Sequence, residues 1–196
     1  SDSDGRPFRN IGFETTKAPD YRRSNELQLQ YDDHDRWSAI GGVYYENNDL
    51  GMSAARGMIS APIPVDLVLL DETSTKSWAP FLQTSYRLWS QLTLTLGFRR
   101  TYDERDALLG TNVRFGGVGP DMVLVPLTPV ETKSEANSWN ITLDNKFTPN
   151  LLGYIAVRRG YKGGGFTSSS LAIDPDSITY EPEFVTSHEA GLKAQF

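Results

Sequence analysis

Two pairs of adjacent arginines are the residues of this chain best suited to holding a ligand. They are Arg99 with Arg100 and Arg158 with Arg159. Apolar and polar residues alternate before the first pair, which puts Arg99 on the polar side of an extended strand. Guanidinium groups on the wall of a polar cavity attract anions. We therefore take Arg99, Arg158 and Tyr161, which follows the second pair, as candidate ligand-facing residues.

Other kinds of chemistry find little support in the residue types present. The chain of 196 residues has no Cys and only two His, His34 and His188, which excludes thiolate chemistry and argues against a histidine metal site. The glycines at 163–165 lack the strand and GxxxxGK[ST] context of a phosphate loop. No nucleophile and base stand in a recognisable pattern, so we expect no enzyme and no cofactor. A net charge of −6 argues against a nucleic-acid partner.

Alternation of apolar and polar residues with a period of two is the strongest pattern in the sequence. Over 92–99 it runs Leu-Thr-Leu-Thr-Leu-Gly-Phe-Arg, and it recurs at 26–31 and 139–144. Such alternation is typical of a strand with one apolar and one polar face, and no window shows a comparable period of 3.6. The sequence therefore predicts an all-β protein. The register of 36–46 and 151–161 stays open, because apolar residues occur on both faces there.

Short and long connections alternate between the predicted strands. Strands are predicted at 25–32, 36–46, 77–88, 91–102, 138–148, 150–161 and 184–196, with a weak one near 8–15. Tight turns are predicted near 33–35, 89–90 and 148–150. Connections of more than twenty residues are predicted at 47–76, 103–137 and 162–183. Strands of about eleven residues joined in this way are typical of an antiparallel up-and-down transmembrane β-barrel meander, with short periplasmic turns and long extracellular loops.

The four Trp residues favour the same architecture. Trp37 and Trp89 fall at the tight-turn ends of their strands, and Trp78 and Trp139 fall at the long-connection ends, where Tyr161 joins them. Two girdles of aromatic residues mark the two interfaces of a membrane barrel, because such rings have an apolar body and a polar edge. The alternative is a soluble β-sandwich binding module whose Trp residues are scattered through its strands. The two differ in whether the apolar face of 92–98 is bare or buried.

Several segments resemble one known family. The segment at 154–166 reads Y-I-A-V-R-R-G-Y-K-G-G-G-F and resembles the Y-A-x-V-x-R-G-Y-K-x-G-G-F stretch of TonB-dependent outer-membrane receptors. Other segments match barrel strands of that family in order and spacing. They lie at 25–29, 78–86, 92–103, 180–183 and 188–193. The chain is therefore similar to the C-terminal β-barrel of these receptors, of which the ferric-siderophore receptors are a common kind.

The resemblance implies a fold, a function and a set of partners. Residues 1–196 would be part of one receptor barrel domain of about 22 strands, of which about seven or eight are expected here. The family's plug domain and TonB box have no counterpart in the sequence. The implied function is import of a scarce, bulky nutrient across the Gram-negative outer membrane, most commonly a ferric siderophore, with vitamin B12, haem or an oligosaccharide as alternatives. Partners would be outer-membrane lipid, the ligand, and TonB through other parts of the parent protein; a structural or adhesive barrel is the alternative class.

The resemblance also gives two interpretations of the arginines. Charge facing the lumen would attract an anionic ferric chelate. The alternative, which we favour, is pairing within the polar wall with Asp144, Glu189 or plug carboxylates, or binding of outer-leaflet lipid phosphates.

The long connections would lie at the extracellular mouth, where ligand specificity is expected. Their apolar segments at 65–70 and 122–130 are not needed by solvated loops. They could extend the strands above the membrane or form a lid over the lumen, but we favour simple packing of one loop against another. The charges at 103–106 are expected to be solvated, and the glycines at 163–165 are expected to form a flexible loop entry.

Overall fold

The chain folds into strands through nearly all of the part that the structure describes, which confirms the all-β prediction. The computed structural model describes residues 11–59, 65–115, 119–167 and 178–195. Within these residues no helix is long and apolar enough to cross a membrane. The strands are β1 (Ile11–Lys17), β2 (Tyr21–Asp32), β3 (Trp37–Ile59), β4 (Val65–Arg87), β5 (Leu92–Phe115), β6 (Met122–Thr148), β7 (Leu151–Lys162), β8 (Gly165–Phe166), β9 (Thr179–Tyr180) and β10 (Glu183–Ala194).

Eight of these strands form one antiparallel sheet, and β8 and β9 form a second sheet of two strands. From β3 through β7 and on to β10, each strand pairs with the next long strand along the chain, which is an up-and-down meander. Both β1 and β2 pair with β3, β1 against 53–59 and β2 against 38–49. They therefore act as one long strand interrupted at 18–20, which agrees with the predicted number of seven or eight.

A single carboxylate closes the tight turn between β2 and β3. Oδ1 of Asp33 accepts hydrogen bonds from the backbone N–H groups of Asp35, Arg36 and Trp37 at 2.8–2.9 Å. These bonds, that from Trp37 foremost, hold the pKa of Asp33 below its usual value. Inside the turn His34 takes a positive φ of 61°. The β4–β5 and β6–β7 turns are also short, so the predicted tight turns are confirmed.

Two of the three long connections are extended hairpins. Pairing of β3 with β4 continues up to Ile59 and Val65, and pairing of β5 with β6 continues up to Val113 and Met122. Most of 47–76 and 103–137 is therefore strand, and these segments join the expected ends of the strands. The apolar segments at 65–70 and 122–130 are strand extensions, one of the alternatives that the sequence left open, so the favoured packing of one loop against another is wrong. The third connection contains the short strands β8 and β9.

Cross-strand ion pairs explain why charged stretches become strand. On the β5–β6 hairpin Nζ of Lys133 lies 3.0 Å from Oε1 of Glu104 on the facing strand and 2.6 Å from Oε1 of Glu131 on its own strand. Hydrogen bonds to these two carboxylates raise the pKa of Lys133, and the bond from Lys133 lowers the pKa of Glu104. Opposite charges on facing strands thus satisfy one another, so the acidic and basic residues do not require a loop.

One face of the sheet, which we call the outer face, is apolar in the half of the sheet that lies next to the tight turns. In the pairing register, Leu82 on β4 lies opposite Phe98 on β5, Phe98 lies opposite Trp139 on β6, and Ile155 on β7 lies opposite Leu143 on β6. These side chains are not covered: Leu82 is 56%, Phe98 51% and Ile155 58% exposed. Apolar groups exposed in a continuous row are expected where lipid replaces water.

The bare outer face decides between barrel and sandwich. Leu96 and Phe98 are 42% and 51% exposed, whereas a sandwich would bury this face under a second sheet. Within the described residues the second sheet has only the two short strands β8 and β9. The architecture is therefore the meander of a barrel wall, as predicted, and the sandwich alternative is wrong.

The pairing also settles the two registers that the sequence leaves open. On β3, Val43 shares the outer face with Trp37, while Ile40 lies on the opposite face. On β7, Ile155 and Val157 are opposite Leu143 and Ile141 of β6 and so lie on the outer face. Apolar residues on the other face of these strands are the exception within a polar surface.

Aromatic residues border the apolar band on the outer face. At the tight-turn end Trp37 packs on Tyr31 with ring centroids 4.8 Å apart. At the other end Trp78 stacks on Tyr102 at 4.3 Å. Trp37 and Tyr45 begin and end the band on β3, and the eight residue steps from one to the other correspond to about 27 Å along a strand. A tilted strand of this length crosses the hydrocarbon layer, so the predicted girdles at these positions are confirmed.

Some predicted features lie outside the described residues. They are the first residues of the weak strand near 8–15, positions 168–177 of the third long connection, and the terminal Phe196.

The face assignment predicts opposite outcomes for two neighbouring residues. Leu82→Arg places a guanidinium in the hydrocarbon layer and should lower the free energy of unfolding by about 2–4 kcal/mol. Gln83→Arg, on the opposite face of the same strand, should change it little. The measurement is denaturant unfolding of the receptor that carries this chain, in lipid vesicles. Equal costs at the two positions would contradict the assignment.

Candidate functional site

The face of the sheet opposite the lipid band, here called the inner face, is polar. Hydroxyl and amide side chains line it on neighbouring strands, and some of them bond to one another, as Oγ of Ser85 and Oγ1 of Thr95 do at 2.9 Å. Other polar members are Gln28, Ser38, Gln83, Asn140 and Thr142. Such a surface faces the interior of a membrane barrel.

Arg99 lies on the inner face of β5, between Phe81 of β4 and Ser138 of β6. Its guanidinium carbon is 5.2 Å from the ring centroid of Tyr44, and its Nε donates a long hydrogen bond of 3.4 Å to Oγ1 of Thr101. No carboxylate of the described residues lies within 4 Å of it. The half-buried guanidinium of Arg99 therefore contacts an aromatic ring, and it remains able to bind an anion.

Arg158 lies on the inner face of β7, opposite Asn140, and its charge is neutralised. Its Nη1 forms an ion pair with Oε2 of Glu189 on the neighbouring strand β10. The other oxygen of that carboxylate accepts a hydrogen bond of 2.5 Å from the hydroxyl of Tyr154. Arg158 thus makes the wall pairing with Glu189 that the sequence analysis gave as the alternative to ligand binding.

Tyr161 lies beyond the girdle in which the sequence analysis placed it. Pairing of β6 with β7 ends at Trp139 and Arg159. Tyr161 is two residues further along β7, beyond the level of Trp139, and strand alternation alone would put it on the outer face. Its hydroxyl donates a 2.8 Å hydrogen bond to Oδ2 of Asp103, which shares the inner face of β5 with Arg99. The upper end of β7 therefore turns towards the inner side and brings Tyr161 to the β5–β6 hairpin.

The segments that follow β7 and precede β10 fold over this hairpin. We call residues 163–167 with 178–182 the strap. Its strands β8 and β9 pair with each other, and the amide of Thr167 donates a 2.8 Å hydrogen bond to the carbonyl of Ile178. Ile178 is buried with Ala107, Leu109 and Val130 of the hairpin, and Phe166 packs against the same cluster. This small apolar core fixes the strap to the hairpin.

The glycines of the strap are required by close approach, so the expectation of a flexible loop entry is wrong. All three glycines are buried. A Cβ atom on Gly163 would lie 2.7 Å from Nη2 of Arg105 and 3.0 Å from Oδ2 of Asp103, and one on Gly164 would lie 2.7 Å from the backbone oxygen of Tyr180. Nε of Arg105 is itself buried without a hydrogen-bond partner among the described residues. The side chains at 103 and 105 are therefore partly covered by the strap. This corrects the expectation that they are simply solvated.

The structure brings two of the three predicted site residues together. Arg99 and Arg158 line one open concavity of about 700 Å³, together with Gln83, Gly97 and Asn140. Tyr161, near the end of β7, belongs to a separate contact between that strand and the β5–β6 hairpin. Sequence reasoning did not identify Tyr44, Asp103 and Arg105 as partners of these residues. The alternation that continues past Arg99 could have indicated the last two, since 99, 101, 103 and 105 share one face.

The arrangement is suited to binding and carries no catalytic geometry. In the described part of the chain no three His, Asp or Glu residues are grouped closely enough to hold a metal ion. The concavity offers hydrogen-bonding groups and the carboxylate of Glu26. Its Arg99 guanidinium has no carboxylate within 4 Å among the described residues. Such a surface can attract a polar or anionic ligand by charge and by hydrogen bonds.

The apolar outer face, the polar inner face and the aromatic girdles together define the class: the wall of an outer-membrane β-barrel. The chain belongs to the TonB-dependent receptor family, because residues 1–196 match the family described as "TonB dependent receptor-like, beta-barrel". Receptors of this family reside in the Gram-negative outer membrane and are transporters rather than enzymes. Membership confirms the resemblance, the localisation and the expectation that the chain is no enzyme.

A solved structure has a similar fold. It is the ferric yersiniabactin uptake receptor FyuA from Yersinia pestis, with a TM-score of 0.63 and 14% sequence identity. The similarity covers 97% of this chain and 28% of that receptor. At this level of identity the likeness shows the fold alone.

The strap predicts a difference between two glycines. Gly164→Ala should displace the strap, because the new methyl group would meet the backbone of residue 180, and overpacking of this kind costs about 1–3 kcal/mol. Hydrogen exchange of the Thr167 amide should then become about tenfold faster or more. Gly160→Ala is the matched control, since nothing lies within 4 Å of a Cβ atom at that position. Unchanged protection of Thr167 in Gly164→Ala would contradict the strap.

Proposed function

We propose that this chain is one segment of the barrel wall of a TonB-dependent transporter that imports a ferric siderophore. The observation that carries the proposal is the family match over 1–196, joined to an inner face that presents Arg99 without a carboxylate partner among the described residues. Transport of this kind draws its energy from TonB. The chain would supply the passage and a part of the ligand-facing wall.

The edges of the sheet support a larger parent barrel. At one edge β2 pairs only with β3, and at the other β10 pairs only with β7, among the described residues. Unpaired backbone groups at a lipid-exposed edge cost several kcal/mol each, so further strands are needed to close the barrel. The chain spans 28% of the similar receptor. We infer that other parts of the parent protein supply the remaining strands, the plug domain and the TonB box.

The choice of a ferric siderophore depends on charge. Ferric chelates of this kind are commonly anionic, and a lumen-facing guanidinium favours anions. The similar solved structure is titled a ferric yersiniabactin uptake receptor, which supports this ligand class as a proposal for the present chain. Vitamin B12, haem and oligosaccharides remain alternative ligands, and a structural or adhesive barrel remains the alternative class.

The hairpin extensions and the strap would form part of the extracellular mouth. They continue the strands beyond the aromatic girdle formed by Trp78 and Tyr102. The strap is fixed to the inner side of the β5–β6 hairpin by the apolar core around Ile178. Just before the strap, the hydrogen bond from Tyr161 of β7 to Asp103 holds the end of that strand against the same hairpin. A ligand entering the barrel would therefore meet the strap before it reaches Arg99. We therefore propose Tyr161 as a residue that helps to position the mouth.

Two alanine variants test the proposal. Arg99→Ala should weaken binding of anionic ferric catecholate and hydroxamate chelates by about fivefold, as expected for loss of roughly 1 kcal/mol of attraction in a wet site. The thermal stability of the barrel should stay unchanged. Arg158→Ala, the matched control in the same concavity, should lower the melting temperature and leave chelate affinity within twofold, because Glu189 already neutralises that charge. Uptake of radioactive iron and the melting temperature are measured on the full-length receptor.

The opposite pattern would contradict the proposal. If Arg99→Ala leaves chelate binding and iron uptake intact, the lumen charge does not act on the ligand. If the full-length receptor binds and imports none of these chelates but takes up haem, vitamin B12 or an oligosaccharide, the ligand class is wrong while the transporter class stands. A parent gene without plug domain and TonB box would overturn the transporter class itself.

A further inference from the structure

The second pair of arginines divides its charge between the two faces of the sheet. Arg158 lies on the inner face and is paired with Glu189. Arg159, the next residue on β7, lies on the outer face, where it stands opposite Trp139 of β6 and Thr186 of β10. A residue at this position faces lipid, and its side chain is exposed.

No negative charge of the described residues neutralises Arg159. Its guanidinium carbon lies 4.6 Å from the ring centroid of Phe184, and no carboxylate of the described residues lies within 4 Å of it. The groups that face it from the neighbouring strands are Trp139 on β6 and Phe184 and Thr186 on β10, and all of them are neutral. An isolated guanidinium is thus presented to the membrane beside aromatic rings.

The depth of Arg159 in the membrane limits what can surround it. An outward Arg costs far more free energy at the middle of the bilayer than near the interface. Arg159 is level with Trp139, and Trp residues concentrate where hydrocarbon meets headgroups. The loop-bearing end of the barrel is the extracellular end, so this boundary belongs to the outer leaflet. The groups at that level that can balance a guanidinium are the phosphates of the lipid headgroups.

We propose that Arg159 is a binding site for a phosphate group of an outer-leaflet glycolipid. The planar guanidinium can donate two parallel hydrogen bonds to phosphate oxygens. Phe184 holds the guanidinium from one side, and Thr186, opposite it on the outer face, offers a hydroxyl donor. The site is continuous with the apolar band, which would hold the acyl chains of the same lipid. This inference depends on the membrane location of the chain and not on the ligand that the receptor transports.

Arg100 provides a contrast on the same face. It also lies near the upper girdle, with its guanidinium carbon 5.1 Å from the ring centroid of Tyr102. However, its Nη2 donates a 2.6 Å hydrogen bond to Oε2 of Glu135, so its charge is already balanced. Arg100 and Arg159 both lie on the outer face near the upper girdle, but only Arg100 forms an ion pair with a carboxylate of the described residues. Arg100 should contribute little to phosphate binding.

The test measures lipid binding to the purified, delipidated full-length receptor in detergent. The probes are bisphosphorylated lipid A, lipid A with both phosphates removed, and inorganic phosphate. Arg159→Gln should weaken binding of bisphosphorylated lipid A by about fivefold, the effect of about 1 kcal/mol for one basic residue at a membrane surface. Arg159→Lys should retain most of the affinity, because it keeps the charge. Arg100→Gln is the matched control and should change the affinity by less than twofold.

Each outcome decides the proposal. Preference of the wild-type receptor for bisphosphorylated over dephosphorylated lipid A, lost in Arg159→Gln and kept in Arg100→Gln, supports it. Equal affinity of wild type and Arg159→Gln, or equal affinity of the wild type for the two lipids, overturns it. Inorganic phosphate that binds as well as the lipid would assign Arg159 to a free anion instead. If Arg159→Gln does not assemble into a barrel that resists heating in gels, two other measurements decide the proposal. They are the affinity of the wild type for the two lipids and the affinity of Arg159→Lys for bisphosphorylated lipid A.

Discussion

The structure depends on one constraint, the absence of hydrogen-bonding partners in lipid. Every backbone N–H and C=O in the membrane must be bonded within the protein, and the side chains that face the hydrocarbon must be predominantly apolar. Extended strands meet both demands when they pair edge to edge and alternate apolar with polar residues. The run from Leu92 to Arg99 shows this in its simplest form, with Leu96 and Phe98 bare on one side and Thr95 bonded to Ser85 on the other.

The same constraint determines where charge can lie. Arg158 is accommodated on the inner face because Glu189 neutralises it there, and Arg159 is accommodated on the outer face because it lies at the level of Trp139. Above the girdles the constraint relaxes, and charged residues occupy both faces of the hairpin extensions. There the strap adds a small core of ordinary protein packing around Ile178 and Leu109. The polar inner face and the apolar outer face are thus separated by the thickness of one sheet.

The sequence predicted the part of the fold that lipid imposes. Period-two alternation located the membrane-crossing strands, and Trp37, Trp78 and Trp139 located the interfaces. Above the membrane that signal fades, because water and protein both tolerate charge, and 103–106 was interpreted as loop when ion pairs such as that of Lys133 with Glu104 hold it as strand. The contact of Tyr161 with Asp103 joins residues 58 apart and depends on the path of the strap, which local patterns do not encode.

The accessibility of alternate residues on β5 tests the central claim, that one face of this sheet meets lipid and the other does not. The chain has no Cys, so single cysteines at Leu94, Leu96, Thr93 and Thr95 can each carry a nitroxide label in the full-length receptor in lipid vesicles. Collisions with molecular oxygen, which concentrates in lipid, should be frequent at 94 and 96 and rare at 93 and 95. Rare collisions at all four positions would show that the apolar face is packed against protein, and would contradict the account.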